Sequence, residues 1–534
     1  MSLMGVDIGT SGCKVAAFSL DGRRLAEAHR SYETIHHRPG WAELDAQAVA
    51  DRILGAVAEV SAAVGGGPAS AGGAGRASVK GGAALSGPAP PGPATAGRVP
   101  SGRVPADPVR AISVSSMGEA LVPIAKDGSV LSTSILSSDI RGAEYLSRLD
   151  SIDPAQLYRI NPNISGINYS MPKICWYREH EPEAYRRTWK LLFWGDYLVY
   201  ALTGVAVTSP SLANRSMLFD IRREDWSDEL LNLAGISRAI LPEIAPAGTV
   251  AGTVRPEVAR ALSLPQDAQV VVGGHDQALN ATGAGAHGAG STVCGIGTVE
   301  CIAPVYQGLP DLDRIRSLSL NVEHHVLTDR YVSFLYNQAG VLINWFLRTF
   351  VERGEEEQAD ALYARLMAEM PAEPTELVTT PFFEPTGSPY FRTDVRGSIV
   401  GLRTSTTRGE ILKSILEGET FYFVGPLDSL ADLGYETTHF VATGGGAKSD
   451  AWLQIKADIL GARFVRPVHV ESGTLGAALL AGAGAGIVSS VEEAYEPFGG
   501  VDRTFVPDPE RHARYREAIE RYQQVVATTP RYEA

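Results

Sequence analysis

The N-terminal stretch constrains the fold more than any other part of the chain. It reads MGVDIGTSGCKVAAFSLDGRRLAEAHRSYE over residues 4–33. The pattern predicts three strands, joined first by a glycine-containing turn and then by an Asp-Gly turn. Walker and Rossmann phosphate loops lead from a strand into a helix, whereas residues 15–18 here continue as β structure after the turn. The sequence therefore predicts a β-meander and not a βαβ unit.

The first turn of this meander has the composition of an anion-binding loop. Glycine lets the backbone approach an anion closely, and hydroxyl, amide and ammonium groups are donors to phosphate. The candidate phosphate-binding residues are Gly9, Thr10, Ser11 and Lys14. Asp7, at the end of the first strand, is well placed to hold Mg²⁺ through water. A plain hairpin turn is the alternative interpretation.

A second segment delivers an acidic residue to the end of a strand. Residues 270–277 read VVVGGHDQ, which predicts a buried strand that ends at Gly273. Open α/β sheets bind ligands beyond the carboxyl ends of their strands, so Asp276 is the candidate for the chemistry. The alternative is that Asp276 caps a helix that opens at Gln277.

Two more glycine-rich turns occur in the second half of the chain. Residues 290–305, GSTVCGIGTVECIAPV, repeat the strand–turn–strand design, with Gly297 and Thr298 in the turn. Residues 440–450, FVATGGGAKSD, predict a strand followed by glycines that open a helix. Bare glycine backbone can lie against a purine or ribose, although a simple helix start is the alternative. The candidate residues of this third turn are Gly444, Gly445, Gly446 and Ser449, with Ser449 in the first turn of the helix.

A candidate acceptor site follows the strand predicted over residues 109–115, which we expect to join the sheet of the meander. Three candidate substrate-binding residues come next, Met117, Gly118 and Glu119. Glu119 can reach the same cleft as Asp276 because both follow strand ends. A solvated surface role is the alternative for Glu119. Asp139 and Arg141 are further candidate lining residues.

Four other segments have interpretable patterns. Residues 41–60 have helical spacing. Residues 65–107 are rich in Gly, Ala, Pro and Ser and cannot bury enough apolar surface to offset their ordering entropy, so we interpret them as a disordered insertion. Residues 208–220 are interpreted as a loop returning to the sheet edge. Residues 471–488 predict a helix of small residues that packs closely on the sheet.

Length and charge narrow the function. A chain of 534 residues is too long for one core and suggests two or three domains. A net charge of −14 argues against nucleic acid and anionic membranes as main partners, because both need a basic surface. The four cysteines have neither zinc-site spacing nor the density of a secreted scaffold, and they indicate reduced thiols in a cytoplasm. No apolar run is long enough to span a membrane.

With these motifs in place, the chain resembles the FGGY family of carbohydrate kinases. DIGTSGCK resembles the family's first phosphate loop, GIGTVE its second, and GGGAKSDAWLQIKADILGA its adenosine motif. PKICW at 172–176 resembles part of one family signature, and GSIVGLRTSTTRGEILKSILEG at 397–418 resembles the other. Each motif alone is weak, but all of them in this order are specific. The resemblance covers nearly the whole chain outside residues 65–107.

The resemblance implies an α/β fold with two ribonuclease H-like domains of the actin-like ATPase type. Each would have a mixed five-stranded sheet flanked by helices, with a cleft between the domains. Residues 1–285 would form the sugar-binding domain that carries the catalytic base, and residues 286–534 the nucleotide-binding domain. The implied activity is transfer of the γ-phosphoryl of ATP to a hydroxyl of a ketopentose, ketohexose or alditol.

The resemblance also implies roles for single residues. Asp276 matches the family's proton acceptor. Tyr169 and Gln277 would bind the substrate together with residues 117–119, and Gly340 would bind ATP with the glycine-rich turns. ATP and Mg²⁺ would be required, and the partner would be a small sugar or polyol. The family allows a homodimer and a cytoplasmic location.

Residues 117–119 depart from the patterns of the family. Pentulose kinases resembling xylulokinase usually carry Met-His where this chain has Met117 and Gly118. A glutamate in the position of Glu119 is more like the glycerol kinases, yet the arginine that precedes it there is a glycine here. The acceptor therefore stays open. Two other classes also stay open: a chaperone-like or filament-forming ATPase of the same superfamily, and a non-catalytic sugar- or nucleotide-binding regulator.

Overall fold

The computed structural model describes residues 1–65, 107–352, 359–469 and 472–532, and the chain divides into two compact units. The first consists of Met1–Gly285, Glu323–Tyr331 and Glu471–Gly499, and the second of Ala286–Val322, Val332–Val470 and Gly500–Ala534. The chain thus returns twice to the first unit, so the second unit is not the contiguous segment 286–534 that the sequence suggested. The predicted insertion at 65–107 lies almost wholly outside the described residues.

The first unit is built on a six-stranded sheet. In spatial order its strands are Val250–Thr253, Gln269–His275, Val109–Ser116, Ser2–Ile8, Gly12–Ser19 and Arg24–Ser31. The last three pair antiparallel, which confirms the predicted meander. Val109–Ser116 runs parallel to both of its neighbours, as expected for a strand of this sheet. Because Val250–Thr253 adds an antiparallel edge, the sheet has one strand more than predicted. Three strands therefore end side by side at one edge.

Helices cover this sheet, and alternate residues of its strands belong to different cores. Met4, Val6 and Ile8 share a hydrophobic cluster with helix Ala46–Val64, whereas Leu3 belongs to a cluster with helix Gly473–Gly484. This alternation is the two-residue period of a strand. The helix predicted from residue 41 begins later, at Ala46, because Asp45 accepts a hydrogen bond from the Ala48 backbone and caps it.

Glycines let the Gly473–Gly484 helix approach its neighbours closely. A Cβ added at Gly5 would lie 1.8 Å from the Thr474 carbonyl oxygen, and one at Gly476 would lie 1.9 Å from that of Leu279. Real Cβ atoms do not approach backbone oxygens so closely, so both positions require glycine. The predicted close packing of this small-residue helix is confirmed, and it explains why this late part of the chain belongs to the first unit.

The second unit has a sheet of similar design. In spatial order its strands include Val299–Gln307, Ser291–Ile296, His439–Thr443, Arg463–Pro467 and Val501–Phe505, and Leu335–Gln338 also pairs with Val299–Gln307. The Ser291–Ile296 and Val299–Gln307 strands form an antiparallel hairpin, as predicted. Ser291–Ile296 and His439–Thr443 lie side by side in parallel, so both end at the same edge.

The remaining elements are short connections and outer helices. In the first unit the other helices are Ala143–Leu149, Pro154–Ile160, Ser170–His180, Pro182–Arg187, Trp194–Thr203, Pro210–Ala213, Asn214–Ser216, Asp228–Ala234, Arg238–Ile240, Pro256–Leu262, Asp276–Gly283, Val491–Tyr495 and Glu496–Phe498. Its other strands are Glu43–Leu44, Leu121–Ile124, Ser134–Ile135, Lys190–Phe193, Val207–Thr208, Phe219–Asp220, Asp225–Trp226, Glu243–Ile244 and Glu323–His324. The second unit contributes helices Leu312–Ser317, Gly340–Phe350, Ala359–Ala368, Arg408–Asp432, Gly445–Lys448, Asp450–Leu460 and Pro509–Thr528. Strands Val378–Thr380 and Ser398–Val400 pair within the second unit, and Arg330–Val332 crosses its boundary.

Two sequence interpretations need correction here. Residues 208–220 are not a plain loop, because Pro210–Ala213 and Asn214–Ser216 are helical turns and Phe219–Asp220 is a strand. Ser209 begins this structure by accepting a hydrogen bond from the Leu212 backbone. Asp139 and Arg141 form a buried ion cluster with Glu43, so their charges are satisfied by one another. Among the described residues, no helix is long and apolar enough to cross a membrane.

Candidate active site

The Gln269–His275 strand carries Asp276 to the edge of the first sheet. The strand extends two residues beyond the predicted end at Gly273, and its register with Val109–Ser116 shifts between Val271 and Gly274. A Cβ on Gly273 would lie 1.7 Å from the Val114 carbonyl oxygen, so this irregular approach requires glycine. The helix then begins at Asp276, and His275 is its N-cap residue without a side-chain cap. Asp276 is therefore the first helical residue, and the capping interpretation is wrong.

The Asp276 carboxyl group has the electrostatics of a proton acceptor. Burial, followed by the negative charge of Asp7, raises its pKa to about 7. Its side chain is nevertheless 31 % exposed, so a substrate can reach it. The Nε2 atom of His275 lies 3.3 Å from Asp276 Oδ1. Burial, with a smaller effect of the Arg215 charge, lowers the pKa of His275 well below its usual value, so this imidazole is neutral.

Asp7 lies at the end of the adjoining Ser2–Ile8 strand. Ser115 Oγ donates to Asp7 Oδ1 at 2.6 Å, and Lys14 is opposite Asp7 across the antiparallel pair. A Cβ on Gly473 would lie 2.7 Å from Asp7 Oδ2, so the beginning of the Gly473–Gly484 helix is close to the carboxylate. A helix N-terminus stabilises negative charge. The structure thus brings together Asp7 and Asp276, two carboxylates from separate strand ends.

The first glycine turn is held by its own backbone. The Gly9 N–H donates to the Gly12 carbonyl at 2.9 Å, and the Tyr32 hydroxyl donates to the Gly9 carbonyl at 2.5 Å. Thr10 and Ser11 are exposed at the tip of the turn. Their hydroxyl groups are available as donors, which agrees with the proposed phosphate loop.

The predicted substrate residues meet a cation that the sequence did not single out. Arg215 forms ion pairs with Glu119 and with Glu323, and all three side chains are largely buried, at 12 %, 10 % and 1 % exposure. The Arg215 guanidinium lies 5.1 Å from the centre of the Tyr169 ring. His275 Nδ1 is 3.9 Å from Glu323 Oε2, which connects this cluster to Asp276.

Met117, Gly118 and Gln277 also lie in this region. The Met117 N–H donates to the Ile8 carbonyl at 2.8 Å, so the start of the 117–119 segment is fixed to the strand that carries Asp7. Gly118 faces Arg215 and His275. Hydrogen bonds from Gln277 lower the pKa of Asp276 and partly offset the effect of its burial. Six predicted residues are thus gathered around Arg215, His275 and Glu323, which the sequence analysis missed.

In the second unit, the predicted nucleotide residues also converge. The Gly340 N–H donates to the Gly297 carbonyl at 3.0 Å, and the Ala339 N–H donates to that of Thr298. A Cβ on Gly444 would lie 2.7 Å from the Ile296 carbonyl oxygen, so the triple glycine lies against the end of the same hairpin strand. The glycines open a 3₁₀ turn, Gly445–Lys448, and not the α-helix itself. Ser449 is the N-cap of helix Asp450–Leu460, one position before its predicted place.

A buried ion cluster supports these turns. Lys456 donates to Glu300 at 2.7 Å and to Glu419 at 2.9 Å, and the Cys294 thiol donates to Glu300 at 3.1 Å. Burial and the charge of Glu300 raise the pKa of Glu419 well above its usual value. The pair Lys456–Glu300 connects the helix that follows the triple glycine to the strand that follows Thr298. A buried pair of this kind is costly to break and keeps its elements in register.

Comparison with known proteins identifies the family. Residues 97–283 match the model of the FGGY family of carbohydrate kinases, N-terminal domain, and residues 310–485 match the C-terminal domain. A xylulose kinase of Bacillus subtilis is 28% identical over 528 residues, which are 99% of this chain and 97% of that protein.

Solved structures show the same fold. A xylulose kinase from Rhodospirillum rubrum has a TM-score of 0.82 at 24% identity, with 99% of each chain covered. A gluconate kinase from Lactobacillus acidophilus has a TM-score of 0.81 at 22% identity, with 98% of this chain and 97% of that chain covered. The predicted actin-like ATPase fold is confirmed. The chain belongs to the FGGY family of carbohydrate kinases, and it is an ATP-dependent kinase of a small sugar or polyol.

Proposed function

We propose that this protein phosphorylates a hydroxyl of a small ketose and that Asp276 is the general base. The observation that carries the proposal is the Asp276 carboxyl group, which is reachable, lies at a strand end and has a pKa of about 7. A base is most effective when its pKa is near the working pH. The relative from Bacillus subtilis, a xylulose kinase, supports a ketopentose as the acceptor.

In this proposal the two units supply different parts of the reaction. The first unit binds the acceptor through residues 117–119, Tyr169 and Gln277, and its Gly9–Ser11 turn and Lys14 donate to phosphate oxygens. The second unit binds ATP through Gly297, Thr298, Gly340, the triple glycine and Ser449. Phosphoryl transfer needs mainly positioning and charge stabilisation, which backbone and hydroxyl donors provide.

Asp7 fits a role in holding Mg²⁺. Its carboxylate is oriented by Ser115 and is close enough to Asp276 to raise the pKa of that group. No cluster of three or more metal-ligating side chains occurs in the described residues. Mg²⁺ in kinases is typically bound through one or two carboxylates, water and substrate phosphates, so a single protein carboxylate is sufficient. When bound, the ion would neutralise charge on the phosphates.

The Asp276→Asn variant tests this function. Asn keeps the shape of the side chain but cannot accept the proton, so we expect kcat to fall about 10²–10⁴-fold while ATP affinity is retained. The measurement is ADP release coupled to a reporter enzyme, with Mg-ATP and a panel of pentuloses, hexuloses and alditols. Gln454→Glu on the Asp450–Leu460 helix provides a control remote in sequence. Normal turnover by a folded Asp276→Asn protein would contradict the proposed role of this residue.

A further inference from the structure

We propose that Arg215 is the specificity-determining residue of the acceptor site, and that its ion pairs with Glu119 and Glu323 select a neutral sugar over a carboxylated one. The inference rests on the proposed function, because it takes residues 117–119 as part of the acceptor site. It adds a residue from a different part of the chain and the chemical class of the acceptor.

The position of Arg215 depends on the absence of a side chain at residue 118. A Cβ on Gly118 would lie 3.0 Å from Arg215 Cγ, 3.2 Å from Arg215 Nε and 3.1 Å from His275 Cδ2. Contacts this short require a neighbour to move. Arg215 and His275 therefore occupy the volume that a larger residue at 118 would fill. The glycine that departs from the family pattern at this position is explained by the arginine that packs against it.

The guanidinium is held in a fixed orientation. It pairs with Glu119 on one side and Glu323 on the other, and it lies over the Tyr169 ring. Glu119 is itself anchored, because the Ser170 hydroxyl donates to its backbone carbonyl at 2.8 Å. The Tyr169 hydroxyl donates to Asn163 Oδ1 at 3.1 Å, which fixes the ring. A planar guanidinium that pairs on two sides and stacks on an aromatic ring has little freedom to turn toward a new anion.

The charges of this cluster disfavour an anionic acceptor. One arginine stands against two glutamates, and the neighbouring Asp7 and Asp276 carboxyl groups add further negative charge. His275 does not offset them, because its imidazole is neutral. A carboxylate entering this largely buried site would face like charges, and such juxtapositions cost several kcal/mol. Sugar hydroxyls, by contrast, can donate to the glutamate oxygens and accept from the guanidinium.

The first experiment compares acceptors with the unaltered protein. D-Xylulose and L-xylulose serve as neutral ketoses, and D-gluconate and 3-keto-L-gulonate as carboxylated sugars. We expect kcat/KM for the better ketose to exceed that for either carboxylated sugar by roughly 100-fold or more. Equal or greater kcat/KM with a carboxylated sugar would overturn this inference and leave the kinase function standing. No phosphorylation of any sugar would instead contradict the proposed function.

The second experiment changes the charge balance. In Glu119→Gln one negative charge is removed, so the ratio of kcat/KM between ketose and carboxylated sugar should narrow roughly tenfold, mainly through KM. Arg215→Gln should raise the KM for ketose roughly tenfold and leave the KM for ATP unchanged. A ratio unchanged in Glu119→Gln, or an equal rise in both KM values in Arg215→Gln, would contradict the inference.

A third variant tests the seat of Arg215 without removing any charge. Gly118→Ala should reproduce the raised ketose KM of Arg215→Gln, because the methyl group displaces the arginine. Gly55→Ala is the matched control, since a Cβ there meets nothing within 4 Å. We expect Gly55→Ala to retain both KM values. A Gly118→Ala protein with unaltered ketose KM would show that the glycine does not seat Arg215.

Discussion

Asp276 combines two demands that conflict in a single residue. Its carboxyl group must be partly buried to have a pKa near 7, and this burial penalises the charged form in the free protein. The negative charge of Asp7 adds to the penalty. Functional sites often carry such a cost, because the substrate and the metal ion relieve it when they bind.

This conflict predicts a pH-dependent gain of stability in Asp276→Asn. The pKa of Asp276 is raised from 3.8 to about 7 in the folded protein, so its stabilising effect is fully present below about pH 4 and is lost as the pH rises through 7. A neutral Asn avoids this loss. We therefore expect the Asn variant to have a higher Tm than the wild type at pH 8, measured without ligand or divalent ions.

The control for this prediction is the same comparison at pH 5. Other groups titrate alike in the two proteins, so the difference in Tm should shrink as Asp276 of the wild type becomes protonated. A difference in Tm that does not vary between pH 5 and pH 8 would show that the pKa of Asp276 is not raised.

At the scale of elements, the triple-glycine turn contains positions with opposite constraints. Gly446 packs against the hairpin strand, because a Cβ there would lie 2.3 Å from Ile296 Cγ2. Gly445 is exposed, and a Cβ there would meet nothing within 4 Å. The glycine at 446 is thus required by the fold, and the one at 445 is left to serve a ligand.

Two alanine variants separate these roles. Gly446→Ala overpacks the turn and should destabilise the protein by about 1–3 kcal/mol, seen as a lower midpoint in urea. Gly445→Ala should keep the wild-type midpoint but raise the KM for ATP roughly tenfold, because the methyl group covers backbone that faces the nucleotide. A normal KM for ATP in Gly445→Ala would remove this residue from the nucleotide site.

At the scale of the whole molecule, the segment 66–106 interrupts a connection whose two ends are already joined. The Asp107 N–H donates to the Val64 carbonyl at 2.8 Å, so the first unit closes on either side of the segment. We expect replacement of residues 66–106 by a short Gly-Ser link to leave Tm and kcat/KM nearly unchanged, because loop length alters closure entropy only slowly.

The control is a chain of native length with the sequence of residues 66–106 shuffled. It should behave like the wild type if neither the sequence nor the length of the segment matters. Insoluble or inactive protein in the shortened form, with a normal shuffled form, would show that the length is needed. Loss in both would show that the native sequence has a structural role.

The sequence by itself determined the elements whose signals are local. The meander, the hairpin at Gly297 and Thr298, and the acidic residue after a buried strand were all predicted, because turn glycines and strand periodicity act over a few residues. The order of these motifs was enough to indicate the family. Residues 208–220 were misread, since the capping residue Ser209 and two short helical turns have weaker signals than a regular helix.

Only the tertiary structure decided what surrounds Asp276. Arg215, Glu119 and Glu323 come from three segments far apart in the chain, and no periodicity or spacing relates them. The return of helix Gly473–Gly484 to the first unit likewise depends on close contacts with Gly5 and Leu279. Charge balance, burial and the pKa of Asp276 are properties of such long-range packing, because each depends on which groups fold around the carboxylate.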